Sequence, residues 1–165
     1  CFISFSFPME RIDQGNMSNL ILGPRPKLKS IPSIDADVIF TLLKPEEASP
    51  ERIGIAARAS GKQWIHFPLD AREHDSHLSS LKEWNQAAEL LDSFLSIGSV
   101  VYLHCAAGIH RTGTLAYLYF RHQGFSHTEA KEKVFELRPV IQGQIGNKME
   151  IMDEMISKGR KGDLQ

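Results

Sequence analysis

The 165-residue chain has only two cysteines, Cys1 and Cys105, and that scarcity excludes a disulfide framework. No apolar run approaches the roughly 18 residues that a membrane-spanning helix needs. Phe2 to Phe7 is apolar, but it is too short for a signal-peptide core and has no basic flank. Net charge is also nearly absent. A balance of 19 basic and 20 acidic residues leaves −1, which gives no electrostatic reason to expect a nucleic acid or a membrane surface as partner. Repeats and low-complexity segments are missing. So are an HExxH pair, a second cysteine near the first, and a Walker loop; Gly61-Lys62 lacks the preceding Gly and the following Ser or Thr. What is left is one domain of ordinary globular composition, large enough to bury most of its unfolded surface. Residues 1–18 show no sustained period and are expected to be a loosely ordered lead-in, 19–158 the single domain, and 159–165 a fraying tail. A chain that opens on Cys1 reads as a fragment, with Met9 or Met17 as candidate natural starts.

Apolar periodicity marks strands that alternate with helices. Leu20-Ile21-Leu22, ended by Gly23-Pro24-Arg25-Pro26, suits an edge strand. Asp37 to Leu43 has the β-branched and apolar content of a buried one. Ser49-Pro50-Glu51 signals a helix with Ser as N-cap and Pro at the first helical position, ending near Gly61. Gln63 to Phe67 reads as a third strand stopped by Pro68, with a polar loop after it. Ser80-Leu81-Lys82-Glu83 is a capping-box pattern, followed by Leu81, Trp84, Ala88, Leu91 and Leu95 at helical spacing. Leu115 to His122 continues as a buried helix closed by Gly124. Ser126-His127-Thr128-Glu129 is a second capping box, for a helix that must stop before Pro139. A last helix is expected from about Asn147 to Ile156, with Met149, Met152 and Ile156 on one face. The alternation implies an α/β layered domain with a central, mostly parallel sheet, whose ligands sit beyond the carboxyl ends of the strands.

The stretch from Val100 to Thr114 carries the chemistry. An apolar strand pattern, Val100-Val101-Tyr102-Leu103, runs into His104-Cys105, turns through small residues and Gly108, and enters a helix at Arg111-Thr112-Gly113. Five residues between Cys105 and Arg111 can curl so that their backbone N–H groups converge, and such a nest backed by a helix N-terminus binds a dianion. Arg111 adds a bidentate fork for phosphate oxygens. The same positive field stabilises a thiolate, lowering a cysteine pKa from about 8.5 to about 3.5–7.5. A free cysteine is more commonly a small buried hydrophobe. That reading leaves Gly108, Arg111 and Thr112 unexplained.

His104-Cys105-x-x-Gly108-x-x-Arg111-Thr112-Gly113 resembles the signature of the cysteine-dependent protein-tyrosine and dual-specificity phosphatases, of the small atypical dual-specificity type. The resemblance implies a central sheet of four to five strands flanked by helices. It also implies hydrolysis of phosphotyrosine in proteins through a phosphocysteine intermediate. Cys105 would be the nucleophile, and Ala106, Ala107, Gly108, Ile109, His110 and Arg111 the phosphate-binding loop. Thr112 would donate a hydrogen bond to the sulfur. His104 would orient the loop or serve as a plain core histidine, the two weighing about equally.

An Asp on a loop before the cysteine protonates the leaving oxygen in this family, a contribution of roughly 10² to 10⁴ in rate. Asp70 is the choice here because Phe67-Pro68-Leu69-Asp70 follows directly from a strand; Asp75 is the alternate. Val140-Ile141-Gln142 resembles the family's Gln loop, so Gln142 would position the attacking water, with Gln144 and Asn147 as other candidates.

The leading reading is a phosphatase acting on phosphotyrosine proteins, with or without phosphoserine and phosphothreonine. The alternative keeps the chemistry on a non-protein substrate such as a phosphoinositide or an RNA 5′-triphosphate. A phosphate-binding module without catalysis comes last because Cys105, Arg111, Thr112 and Asp70 are all present. The loop between Cys105 and Arg111 carries no lysine, which favours an aromatic ring beside a single phosphate over a polyphosphorylated headgroup. His74 and His77, three apart with carboxylates beside them, admit a metal reading, but loop clusters of this kind are far more often solvated. The expectation is therefore no metal and no other cofactor, a phosphorylated protein as partner, no nucleic acid and no membrane. A monomer is favoured. A thiolate nucleophile needs a reducing compartment, which points to the cytoplasm.

Overall fold

In a computed structural model that describes residues 19–70 and 78–162, four short strands make one sheet in the order β1-β4-β2-β3, every pair parallel. The strands are β1 (Leu20–Gly23), β2 (Val38–Thr41), β3 (Gln63–His66) and β4 (Val101–His104). The two central strands, β2 and β4, run apolar without alternation, as burial on both faces requires. β1 is an edge, as its Gly-Pro ending indicated, and β3 is the other. Register places Gly23, His104, Thr41 and His66 level across the four strands. The segments that follow them, at Pro24, Leu42, Phe67 and Cys105, consequently leave the sheet at one edge.

Side-chain alternation divides the molecule into two layers. Leu20, Leu22, Val38, Phe40, Val101, Leu103 and Cys105 face the larger core, made with α2 (Leu78–Leu95), α3 (His110–His122), α4 (His127–Leu137) and α5 (Lys148–Gly162). Ile39 and Tyr102 face a smaller core made with α1 (Pro50–Ala59) and a 3-10 helix over Leu28–Ser33. The centre of the larger layer is α3, buried continuously from Arg111 to Phe120.

Local signals placed most helix ends correctly. Ser126 accepts from the Glu129 amide at 3.2 Å and Glu129 Oε2 accepts from the Ser126 amide at 2.9 Å, so the second capping box is formed. Three expectations are corrected. Ser80 lies inside α2, which begins at Leu78, so the helix starts two residues before the cap signal. Ser49 occupies the N-cap position of α1, yet it is left-handed (φ 53°) and its side chain makes no capping bond. The final helix does not end at Ile156 but continues to Gly162, because Met149, Met152, Met155 and Ile156 pack on the core and Gly159 comes against Leu81 of α2.

Candidate active site

Alternation along β4 sends Leu103 and Cys105 to the larger core and His104 to the opposite face. The chain then curls through 105–110 and enters α3. Its carbonyls are turned outward one by one. Cys105 O accepts from His104 Nδ1 at 2.9 Å, Ala106 O from the Arg25 amide at 2.9 Å, and Gly108 O from Arg138 Nε at 3.0 Å. Ala107 O accepts from Arg138 Nη2 at 3.3 Å. With four successive carbonyls tied to the outside, the amides face in. Gly108 is left-handed (φ 69°), and a Cβ there would overlap the Gly23 carbonyl, so only glycine fits.

The Cys105 sulfur sits inside this curl, with its residue 3% exposed. Burial is the largest influence on its ionisation and opposes the thiolate. The Thr112 hydroxyl, which donates to Sγ at 3.1 Å, the amides of Thr112 and Ile109, and the Arg111 charge together outweigh it, and the thiol is held below its ordinary value. His104 is fully buried. Burial, with smaller contributions from Arg25, Arg111 and His66, brings its pKa down to about 4, so the ring is neutral at pH 7. Its Nδ1 donates to a carbonyl, which puts the ring's one proton there and leaves Nε2 to accept from the Thr41 hydroxyl at 2.7 Å. His104 is thus buried with both ring nitrogens bonded, one of them to the Cys105 carbonyl.

Arg111 is not free to wander. Its Nη1 and Nη2 donate to Glu47 Oε2 and Oε1 at 2.7 and 2.9 Å, and Nη1 also reaches the carbonyls of Leu42 and Leu69 at 3.3 Å. Hydrogen bonding from Arg111 holds the Glu47 carboxyl below the usual carboxylate range. Glu47 closes a tight turn, its amide donating to Lys44 O at 3.0 Å while its carboxylate accepts the Lys44 amide at 2.7 Å. Two left-handed residues, Ala48 and Ser49, then swing the chain into α1. Such conformations cost on the order of 1–2 kcal/mol per residue, and the Arg25 guanidinium fastens the turn by bonding Ala48 O.

Asp70 is brought to the same edge. Phe67 and Leu69 continue to bond β2 and its extension (Phe67 N to Thr41 O 3.0 Å, Leu69 N to Leu42 O 3.1 Å), and Leu69 is buried. Asp70, the next residue, pairs with Lys44 Nζ at 3.2 Å and acts electrostatically on Arg111. Asp75, His74 and His77 lie outside the described residues. Gln142, Gln144 and Asn147 are all exposed, on a segment whose Ile141 and Ile145 pack on Gly113; the Gln144 carbonyl meets His110 Nε2 at 3.0 Å. Glu47, Lys44, Arg138 and Thr41 escaped the sequence reading. Only the Glu pair in the short loop after β2 offered a signal, as a carboxylate available to a buried arginine.

A thiolate inside a ring of inward amides, with a guanidinium beside it and a carboxyl group nearby, can take a phosphoryl group. A family model described as "Polymorphic toxin system, DSP-PTPase phosphatase" (Tc-R-P) matches residues 25–124, which contain the whole curl and Asp70. The chain belongs to that family. That family is described as one of phosphatases of the dual-specificity and protein-tyrosine type. Among curated relatives, dual specificity protein phosphatase 1-B of Xenopus laevis is 36% identical over 81 residues, which are 48% of this chain and 21% of that protein. The match therefore spans about a fifth of the relative's length. Among solved structures, Tk-PTP in its active form has a TM-score of 0.65 at 21% identity, covering 83% of this chain and 90% of that one. Human DUSP28 has a TM-score of 0.60 at 14% identity, covering 87% and 95%. Both show that this DSP-PTPase domain shares the protein-tyrosine phosphatase fold, an α/β sheet flanked by helices.

Proposed function

We propose that the protein hydrolyses phosphotyrosine in proteins through a phosphocysteine intermediate, in a reducing compartment such as the cytoplasm. The observation that carries this is the curl itself: Cys105 Sγ lies under the Thr112 hydroxyl and the amides of Ile109 and Thr112, with the loop carbonyls turned away. Glu47 takes the Nη1–Nη2 end of the guanidinium, so the edge formed by Nε–H and the second Nη2–H is the one that meets the phosphate.

In the first step the thiolate attacks phosphorus, an S–P bond forms, the P–O ester bond breaks, and Asp70 gives its proton to the leaving oxygen. In the second, water attacks the phosphocysteine and Asp70 takes the proton back. The thiolate leaves with the Thr112 hydroxyl easing its departure, and inorganic phosphate is released. A glutamine or asparagine of the 142–147 segment positions that water, Gln142 first.

Between Cys105 and Arg111 the exposed surface is Ala106, Ala107 and His110, without a lysine. A single phosphate on an aromatic ring fits that surface, whereas a polyphosphoinositide needs more cations than it offers. Cys105→Ser should abolish hydrolysis of an aryl phosphate while leaving binding of a phosphate analogue largely intact. In a side-by-side comparison, a phosphotyrosine peptide should exceed every polyphosphoinositide and triphosphate RNA in kcat/KM. Turnover by Cys105→Ser, or a polyphosphoinositide ahead of every peptide, would refute the reading.

A further inference from the structure

Three adjacent strands each place one polar side chain on the face of the sheet opposite the nucleophile. Trp64 comes from β3, Thr41 from β2 and His104 from β4, and Thr41 and His104 are register partners. Trp64 Nε1 lies 2.9 Å from Thr41 Oγ1, Thr41 Oγ1 lies 2.7 Å from His104 Nε2, and His104 Nδ1 lies 2.9 Å from Cys105 O. Thr41 and His104 are both fully buried.

The direction of this chain follows from its two ends. An indole N–H can only donate and a carbonyl oxygen can only accept. Trp64 must therefore give its hydrogen to Thr41, Thr41 must turn its own toward His104 Nε2, and His104 must carry its proton on Nδ1 and give it to Cys105 O. Nothing in the series can reverse without stranding a buried polar atom. The start of the chain is itself held. The Trp64 ring packs on Gly54, where a Cβ would collide with it; Arg58 lies over the ring at 5.5 Å; and His66 stacks on it at 5.1 Å and 20°. His66 Nε2 in turn donates to Leu43 O at 2.6 Å, next to the Lys44–Glu47 turn. The charged and titratable groups that act on His104 are Arg25, Arg111 and His66, and each opposes a second proton on the ring.

We infer that Thr41 and Trp64 are positioning residues for the phosphatase site: through His104 they hold the Cys105 carbonyl out of the curl and thereby aim the loop amides at the sulfur. A plainly structural account would treat the three as a satisfied polar cluster under the sheet. The two differ in what happens at the thiolate, because Thr41 lies two hydrogen bonds from the Cys105 backbone and touches neither the sulfur nor the phosphate pocket. The inference rests on the function proposed above only in naming the reaction; the effect on the sulfur is independent of substrate.

Thr41→Val removes the hydroxyl at nearly constant volume, Thr41→Ser keeps it, and Trp64→Phe removes the N–H that starts the series together with part of the ring. Alkylation of Cys105 by iodoacetamide across pH, followed on the Cys105 peptide by mass spectrometry so that Cys1 does not contribute, reads the thiolate directly. Turnover of p-nitrophenyl phosphate reads the reaction. Thr41→Val should move the alkylation midpoint upward and lower kcat by about ten- to hundredfold, the scale of a small misplacement transmitted to a reacting centre, with KM little changed. Trp64→Phe should do the same to a smaller extent, Thr41→Ser should stay near wild type, and the double variant Thr41→Val/His104→Ala should lose no more than His104→Ala alone. An unchanged midpoint in Thr41→Val overturns the inference, as does failure of Thr41→Ser to rescue or multiplication of the two losses in the double variant. If Thr41→Val does not fold, an unchanged midpoint in Trp64→Phe overturns it equally. A shifted midpoint in a protein that hydrolyses no aryl phosphate would uphold the relay and sink the proposed reaction instead.

Discussion

Glu47→Gln is the perturbation whose outcome the geometry constrains most tightly. Glu47 meets Arg111 through two charge-assisted hydrogen bonds, at 2.7 and 2.9 Å, and the arginine side chain is 9% exposed against 30% for the glutamate. Glutamine keeps the shape, removes the charge, and faces one N–H₂ toward a guanidinium N–H. Breaking a fully buried pair costs about 3–5 kcal/mol, and a hydrogen bond to a charged group contributes about 1.5–3 kcal/mol. Here water reaches Glu47, and the Leu42 and Leu69 carbonyls still hold Nη1, so the lower range applies. The expected loss is about 2 kcal/mol, or roughly 4–8 °C in melting temperature for a domain of this size.

The pH dependence has a definite sign. Arg111 holds the Glu47 carboxyl below its reference value of 4.5, so its contribution is complete above that value and is lost as pH falls through the lower folded-state pKa. Thermal melts of wild type and Glu47→Gln should therefore differ fully at pH 6–7 and converge below about pH 4.5. Under the proposed reaction, turnover should fall as well, because the same change frees the guanidinium assigned there to the phosphate. Equal melting points at pH 7, or a gap that persists undiminished into acid, would refute the reasoning.

Two other outcomes follow from the site. Asp70→Asn should slow cleavage of alkyl-like phosphate esters by roughly 10² to 10⁴ and that of esters with acidic leaving groups much less; if Asp75→Asn shows this pattern and Asp70→Asn does not, Asp75 is the acid. His104 is held at about 4 against 6.5 unfolded, so between those values the unfolded chain binds a proton that the folded one refuses. Stability should consequently decline by about 3 kcal/mol as pH falls across that window, and denaturant titrations of His104→Gln should lack that part of the slope.

The parts of the protein that could be read in advance are those whose causes lie within a few residues. The Cys105–Arg111 curl follows from its small residues and Gly108, and the start of α4 follows from Ser126 and Glu129 in one turn. Buried strands β2 and β4 showed themselves as apolar runs. Where local signals failed, packing was the reason. Contact with Leu81 and the core keeps α5 helical beyond Ile156. At Ser49 the need to carry the Lys44–Glu47 turn into α1 imposed a left-handed backbone in place of a cap.

The amino-acid order by itself picked out Cys105, Arg111 and the loop between them, because a curl of inward amides is built from neighbouring residues and one helix start. Only the tertiary structure decided what holds those groups in place. Glu47 is 64 residues from Arg111, Thr41 is 63 from His104, and Arg138 is 30 from the Gly108 carbonyl it restrains. Such partners have no fixed spacing, since any carboxylate or hydroxyl delivered to that place by a strand or turn could serve. What delivers Glu47 and Thr41 is the common register of four parallel strands, which ends β1, β2, β3 and β4 at one edge and brings their following segments around a single sulfur, while Arg138 arrives from the end of α4.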